Sequence, residues 1–184
     1  MLTKRDELLR KALCLLFKHT IHADLIAIIQ STVDKEDSIL DIGCGIKTFV
    51  KFLRCKKLVG FDIYKDYLEE GDILGDVKEL DKLVSESSFD VVLCFDLIEH
   101  LTKEEGFKLI KDMLKVCREK IIIFTPTEWT DNKDGVENKQ YWSFGNKYNY
   151  HQSLWTREDF FKLRFIEYEH QYKKDYIIVV KEKG

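Results

Sequence analysis

The stretch SILDIGCG, residues 38–45, is the part of the chain on which the fold turns. Ile39, Leu40 and Ile42 belong to a short apolar run that meets two glycines one residue apart. A run that is apolar at consecutive positions suits a strand buried on both faces, as in a parallel sheet covered by helices. Gly43 and Gly45 remove two Cβ atoms where that strand ends, so the backbone can turn sharply and a ligand can approach it closely. Asp41 puts a carboxylate beside the turn, which suits a cationic ligand group better than a pyrophosphate. The dinucleotide fingerprint G-x-G-x-x-G would need a third glycine at position 48, where the chain has Thr48. A nucleotide-dependent oxidoreductase is therefore the weaker alternative.

Outward from this stretch, further apolar runs occupy residues 58–61, 73–74, 91–95 and 121–124. Asp62 ends the second run, where an acidic side chain can receive both hydroxyls of a ribose. Between the fourth and fifth runs a helix is predicted, with Phe107, Ile110, Met113, Leu114 and Cys117 on one face and a Thr102–Glu105 capping box at its start. Weaker helical patterns around Leu53 and around Leu80 and Leu83 follow the first and third runs. Residues 65–70 are too few for a full crossover helix and predict a turn or two. The alternation is that of a doubly wound α/β fold.

Leu9, Leu13 and Leu16, then Leu25, Ile26, Ile28 and Ile29, recur at helical spacing and predict an N-terminal helical cap over 1–36 with a break near 19–22. Residues 127–155 mix turn formers with Trp129, Tyr141, Trp142, Phe144, Tyr148, Tyr150 and Trp155. A loop of this length in a compact domain is functional or carries small elements of its own, so it reads as an insertion or lid. Thr156 caps a short helix ending near Leu163, and the β-rich runs 165–172 and 176–181 read as a terminal hairpin.

The 184 residues, 45% hydrophobic and 34% charged, make one domain that buries about 70% of its unfolded surface. Thirty Lys and Arg against 33 Asp and Glu argue against nucleic acid or an anionic membrane as the main partner. The basic runs Lys51, Arg54, Lys56, Lys57 and Lys111, Lys115, Arg118, Lys120 read as solvated faces. Five scattered cysteines without a C-x-x-C pair read as free thiols of a reducing compartment. With no apolar stretch long enough to span a bilayer and no secretory h-region, a cytoplasmic protein is expected. No cluster with metal-ligand spacing is present, so no metal site is expected.

The segments SILDIGCG (38–45), GFD (60–62), LGDVKEL (74–80), SFDVVLCFDLIEHL (88–101) and IIIFTP (121–126) together resemble the class I S-adenosylmethionine-dependent methyltransferase family over roughly residues 38–126. The resemblance implies a Rossmann-like sheet of about seven strands, mostly parallel with an antiparallel C-terminal strand. It implies S-adenosylmethionine as cofactor, with Gly43, Cys44 and Gly45 under its methionine half and Asp41 near its amino group. Asp62 corresponds to the acceptor of the ribose hydroxyls and Ile63 to the residue on the adenine. Asp76, with the Val77 backbone, corresponds to the partner of the adenine amino group, a role for which Asp72 competes. Phe95 and Asp96 lie at the end of the fourth strand, beside the sulfonium.

Lys47 stands where the family often has a further glycine, a departure that either weakens the loop or offers an ammonium to the cofactor carboxylate. The cluster Asp96, Glu99 and His100 follows the fourth strand, and His151 closes the aromatic loop. Asp96, His100 and His151 are the candidate proton acceptors, against structural readings for both histidines, and Trp155 is a lesser candidate for a direct role of another kind. The expected reaction is in-line methyl transfer to a nucleophile, oxygen favoured, on a small-molecule acceptor, by a monomer or homodimer. The alternative outside enzymology is a catalytically silent binding module of the same fold.

Overall fold

The computed structural model describes residues 20–47, 50–170 and 174–183. The predicted helix before residue 20, with Leu9, Leu13 and Leu16, lies outside them. The described part begins with α1 (Thr20–Thr32), which is helical through Thr20–His22, where a break was expected.

Five strands are β1 (Ser38–Ile42), β2 (Lys57–Asp62), β3 (Ile73–Leu74), β4 (Phe89–Phe95) and β5 (Cys117–Pro126), and the terminal hairpin adds β6 (Ile166–Glu167) and β7 (Tyr176–Glu182). They form one sheet in the order β3-β2-β1-β4-β5-β7-β6. Strands β1 to β5 pair in parallel and β7 runs antiparallel to both β5 and β6. The seven-stranded, mostly parallel α/β architecture expected from the sequence is the one observed.

The connections vary in weight. Among the described residues after β1 a single 3₁₀ turn, Val50–Phe52, forms, and the β2–β3 crossover is trimmed to the turn Lys65–Tyr67. The β3–β4 connection holds a 3₁₀ turn, Val77–Glu79, and α2 (Leu80–Leu83). The full crossover is α3 (Lys103–Val116), capped by Thr102 and Glu105 as predicted. Its buried face is Leu109, Ile110, Met113 and Val116, with Phe107 and Leu114 half-buried at the margins. Cys117 leaves this helix face: its backbone is extended and begins β5.

Apolar side chains cover both faces of the sheet. Leu40, Ile42, Val92, Cys94, Ile121 and Ile123 face α2, α3 and α5 (Arg157–Lys162), while Ile39, Val91, Leu93, Ile122 and Phe124 face α1. This double burial is why the strands read as continuous apolar runs. The charges are more engaged than a solvated face requires. Arg118 Nε donates to Asp90 at 2.6 Å, and Asp90 also accepts from the Ser38 amide and hydroxyl. The Arg118 bond, with those from Ser38, outweighs desolvation and holds the Asp90 carboxyl well below its ordinary range while tying together β1, β4 and the start of β5. Among the described residues no helix is long and apolar enough to cross a membrane.

Residues 127–155 carry the small elements expected of so long a connection: α4 (Lys133–Glu137) and a 3₁₀ turn, Lys147–Asn149. Trp155 is core. Its ring is fully buried between Phe107 and Phe160, and its Nε1 donates to the Ile98 carbonyl and the Ser153 hydroxyl.

Candidate functional site

Strand order reverses at β1, which lies between β2 and β4, and a crevice opens beyond the carboxyl ends of these strands. A cavity of about 760 Å³ fills it, a size suited to a cofactor and part of a second ligand. Its wall includes Asp41, Gly43, Cys44, Gly45, Asp62, Ile63, Asp76, Val77, Phe95, Asp96, His100 and His151, the leading candidates from the sequence. Asp72 and Trp155 are not part of it.

The floor is the turn after β1. Gly43 and Gly45 have φ of +70° and +48°, values that L side chains rarely adopt. A Cβ on Gly43 would press on the Leu97 side chain at 2.9 Å, and one on Gly45 would meet the Trp142 ring at 3.3 Å. The amides of the turn are engaged internally. Those of Gly43 and Cys44 donate to the Phe61 carbonyl, and that of Gly45 donates to Asp62 Oδ2 at 3.0 Å. Asp62 Oδ1 takes the Tyr64 amide at 2.8 Å, so the carboxylate at the end of β2 is aimed by both neighbouring loops. Burial raises its pKa and these amides oppose the rise.

Asp41 differs. It is 4% exposed, and among the described residues no hydrogen bond reaches its carboxyl. Burial pushes its pKa up to about 8, against the lowering effect of Lys47. Lys47 itself is committed elsewhere, with Nζ 2.6 Å from Asp72 and 3.2 Å from Glu69. Asp72 also receives the Gly60 and Glu69 amides. It is a bracket under the glycine turn, whereas Asp76 reaches the cavity as the cap of the turn Val77–Glu79.

The opposite wall follows β4. Asp96 has φ of +45° and is an exposed residue at the cavity wall, where desolvation raises its pKa. Glu99 is 2% exposed and accepts from the Thr125 hydroxyl at 2.9 Å. Burial, then the charge of Asp96, drives its pKa far above the carboxylate range. His100 Nδ1 lies 3.2 Å from the Tyr150 carbonyl, and the rings of His100 and His151 meet edge to face at 4.8 Å. Burial, then His151, lowers the His100 pKa to about 4, against the opposing influence of backbone carbonyls, that of Tyr150 first. Burial lowers His151 as well, so both rings are neutral at pH 7.

Sequence reasoning missed Leu97, Tyr67, Trp142, Asn146 and Tyr176 as wall residues. Trp142 sits against Tyr67 at 5.4 Å between ring centres, and Asn146 Nδ2 donates to the Tyr67 hydroxyl at 3.4 Å. This fastens the 127–155 segment to the β2–β3 turn. The aromatic content of the segment signalled a cover, but nothing local pointed to Tyr67.

The strand order with its glycine turn at the switch point defines a Rossmann-like α/β enzyme fold of the methyltransferase type. The methyltransferase domain family model matches residues 17–163, and the chain belongs to the class I S-adenosylmethionine-dependent methyltransferases. It is an enzyme of that kind, and S-adenosylmethionine is its cofactor. No curated protein matches the chain. Among solved structures it is similar to a SAM-dependent methyltransferase from Archaeoglobus fulgidus, at 16% identity and TM-score 0.58 over 88% of this chain and 94% of that one. It is also similar to magnesium protoporphyrin IX methyltransferase from Synechocystis PCC 6803 with bound SAH, at 14% identity and TM-score 0.58 over 89% and 82%. The N-methyltransferase NodS from Bradyrhizobium japonicum WM9 aligns at 14% identity and TM-score 0.56 over 89% and 94%. These likenesses are ones of fold.

Proposed function

We propose that Asp41, Gly43, Cys44, Gly45, Asp62, Ile63, Asp76, Val77 and Phe95 hold S-adenosylmethionine, and that Asp96, His100 and His151 face a small-molecule acceptor whose nucleophile, oxygen first, takes the methyl group. The observation that carries this reading is Asp41, a buried carboxylate with no hydrogen-bond donor among the described residues, beside a turn stripped of Cβ atoms. Such a group is costly until a cation reaches it, and the cofactor has an ammonium. The glycines contribute room more than hydrogen bonds, since their amides are already engaged. Each Asp62 oxygen accepts one amide and keeps a lone pair for a ribose hydroxyl.

The bound cofactor supplies an electrophilic methyl group. The protein's part is to hold the acceptor in line with it, excluding water beneath the cover formed by residues 127–155. An O–H acceptor must shed a proton. A His100 ring that donates through Nδ1 to Tyr150 keeps the Nε2 lone pair to receive it, and His151 and Asp96 are alternative acceptors. The whole chain reads as one cytoplasmic domain with residues 1–36 as a helical cap. The test is calorimetric titration with S-adenosylmethionine and S-adenosylhomocysteine, with Asp41→Asn and Asp62→Ala as controls. One-site binding weakened by both substitutions is expected. A folded wild-type protein that binds neither compound would overturn the assignment in favour of a silent module.

A further inference from the structure

Glu99, His100 and His151 each present one ligand atom, an oxygen or a ring nitrogen, and these atoms all lie within 4.8 Å of one another. All three residues line the cavity on the proposed acceptor side. The sequence conceals the group, because Glu99 and His100 are adjacent and His151 lies half a hundred positions later. The fold brings them together by a strap. The Gln152 and Ser153 amides donate to the Glu99 carbonyl at 2.8 and 3.1 Å, and Gln152 Nε2 donates to the His100 carbonyl at 2.6 Å.

We propose that Glu99, His100 and His151 form a three-ligand site for a first-row divalent metal cation, with its remaining positions open to the acceptor. The proposal rests on reading this cavity as the site of methyl transfer. Three features point to a cation. First, Glu99 is 2% exposed and its only side-chain partner among the described residues is the Thr125 hydroxyl, so the carboxyl keeps lone pairs for a ligand. Second, the rings of His100 and His151 meet edge to face with centres 4.8 Å apart, close enough for one nitrogen of each to share an ion. Third, the His100 ring is oriented by the Tyr150 carbonyl 3.2 Å from Nδ1, the usual outer support of a metal-bound histidine.

Metal bonds of about 2.0–2.2 Å place tetrahedral ligand atoms about 3.4 Å apart, so the group must contract by about 1 Å or somewhat more. Rotation of the half-buried His151 ring can supply most of that. Two nitrogens and one carboxylate select against Mg²⁺ and Ca²⁺, and the absence of a thiolate from the group selects against Cu⁺. On binding, Glu99 gives up its proton to solvent and one carboxylate oxygen takes the metal. An acceptor hydroxyl at an open position would then become more acidic and more nucleophilic, and with both rings engaged its proton would pass to Asp96 or to solvent.

The test is titration of the EDTA-stripped full chain with Co²⁺, followed by visible absorption and calorimetry, for the wild type, Glu99→Gln and His151→Asn. Circular dichroism checks each fold. His151 lies on an outer segment, so its variant remains informative if the buried Glu99 substitution unfolds. One equivalent of Co²⁺ with d–d bands, bound at least about tenfold more weakly by the variants, is the expected result. No saturable binding, or wild-type affinity in folded variants, overturns the proposal. S-adenosylmethionine titrated into the same metal-free samples separates the two readings. Cofactor binding without Co²⁺ binding removes the metal site alone, and Co²⁺ binding at these residues without cofactor binding removes the methyl-transfer reading on which the acceptor role rests.

Discussion

Lys47→Met removes the ammonium from the bracket beneath the glycine turn. The Lys47–Asp72 pair is 2.6 Å long, with side chains only 8% and 3% exposed. Breaking a buried pair by deleting one partner costs about 3–5 kcal/mol, because the other charge is stranded. Two features lower that figure here. Asp72 keeps the Gly60 and Glu69 amides at 2.8 Å each, and the second partner, Glu69, is 76% exposed, so water reaches the rim of the pair. We expect a loss of about 2–3 kcal/mol, or about 4–12 °C in Tm for a chain of this length.

Burial alone would raise the Asp72 pKa, but Lys47 and the two amides hold it below the ordinary value. Its contribution is therefore present above the unfolded carboxylate pKa and is lost as pH falls through the folded one. Urea unfolding at pH 7 and pH 4 of the wild type, Lys47→Met, Asp72→Asn and the double variant measures the coupling. A Lys47→Met cost under about 0.5 kcal/mol, or an Asp72→Asn cost that is the same with and without Lys47, would refute the bracket.

Asp41 predicts a pH signature of cofactor binding. In the free protein its carboxyl is mostly protonated below about 8, and the ammonium needs the ionised form, so S-adenosylmethionine affinity should rise by up to about tenfold per pH unit from pH 6 to 8. Asp41→Asn should flatten that slope, and calorimetry in parallel buffers reads both. The same shift has the opposite sign for stability: the cofactor-free fold loses stability as pH rises from the unfolded carboxylate value toward about 8, which melting curves of wild type and Asp41→Asn would display. Trp155→Phe keeps most of the ring packing but leaves the Ile98 carbonyl and Ser153 hydroxyl without their indole donor. A loss of about 1–3 kcal/mol in urea unfolding is expected, with cofactor affinity unchanged because Trp155 does not line the cavity.

Much of this was legible in the chain itself, for local reasons. Strands covered on both faces must be apolar at consecutive positions, so β1, β2, β4 and β5 announced themselves. The Thr102–Glu105 cap did too, because its partners are three residues apart. Gly43 and Gly45 were readable because a positive φ leaves few other choices. The errors fell where local pattern and tertiary contact compete. Cys117 fits the apolar face of α3 by spacing, yet pairing with β4 draws it into β5. A helix after β1 was expected around Leu53, and the chain there makes a single 3₁₀ turn. Lys47 could be recognised as a departure, but its partner could not be named, because Asp72 approaches through the β2–β3 turn.

By itself the sequence determined the class of fold, the places of its main strands and the carboxylates that line the crevice, since burial periodicity and turn chemistry act over a few residues. Only the tertiary structure decided that Asp72 supports the turn while Asp76 reaches the cavity, that Trp155 is core while Trp142 covers Gly45, and that His151 meets Glu99 and His100. Those outcomes depend on which distant segments the sheet brings together, and a contact between residues fifty positions apart leaves no periodic trace in either segment.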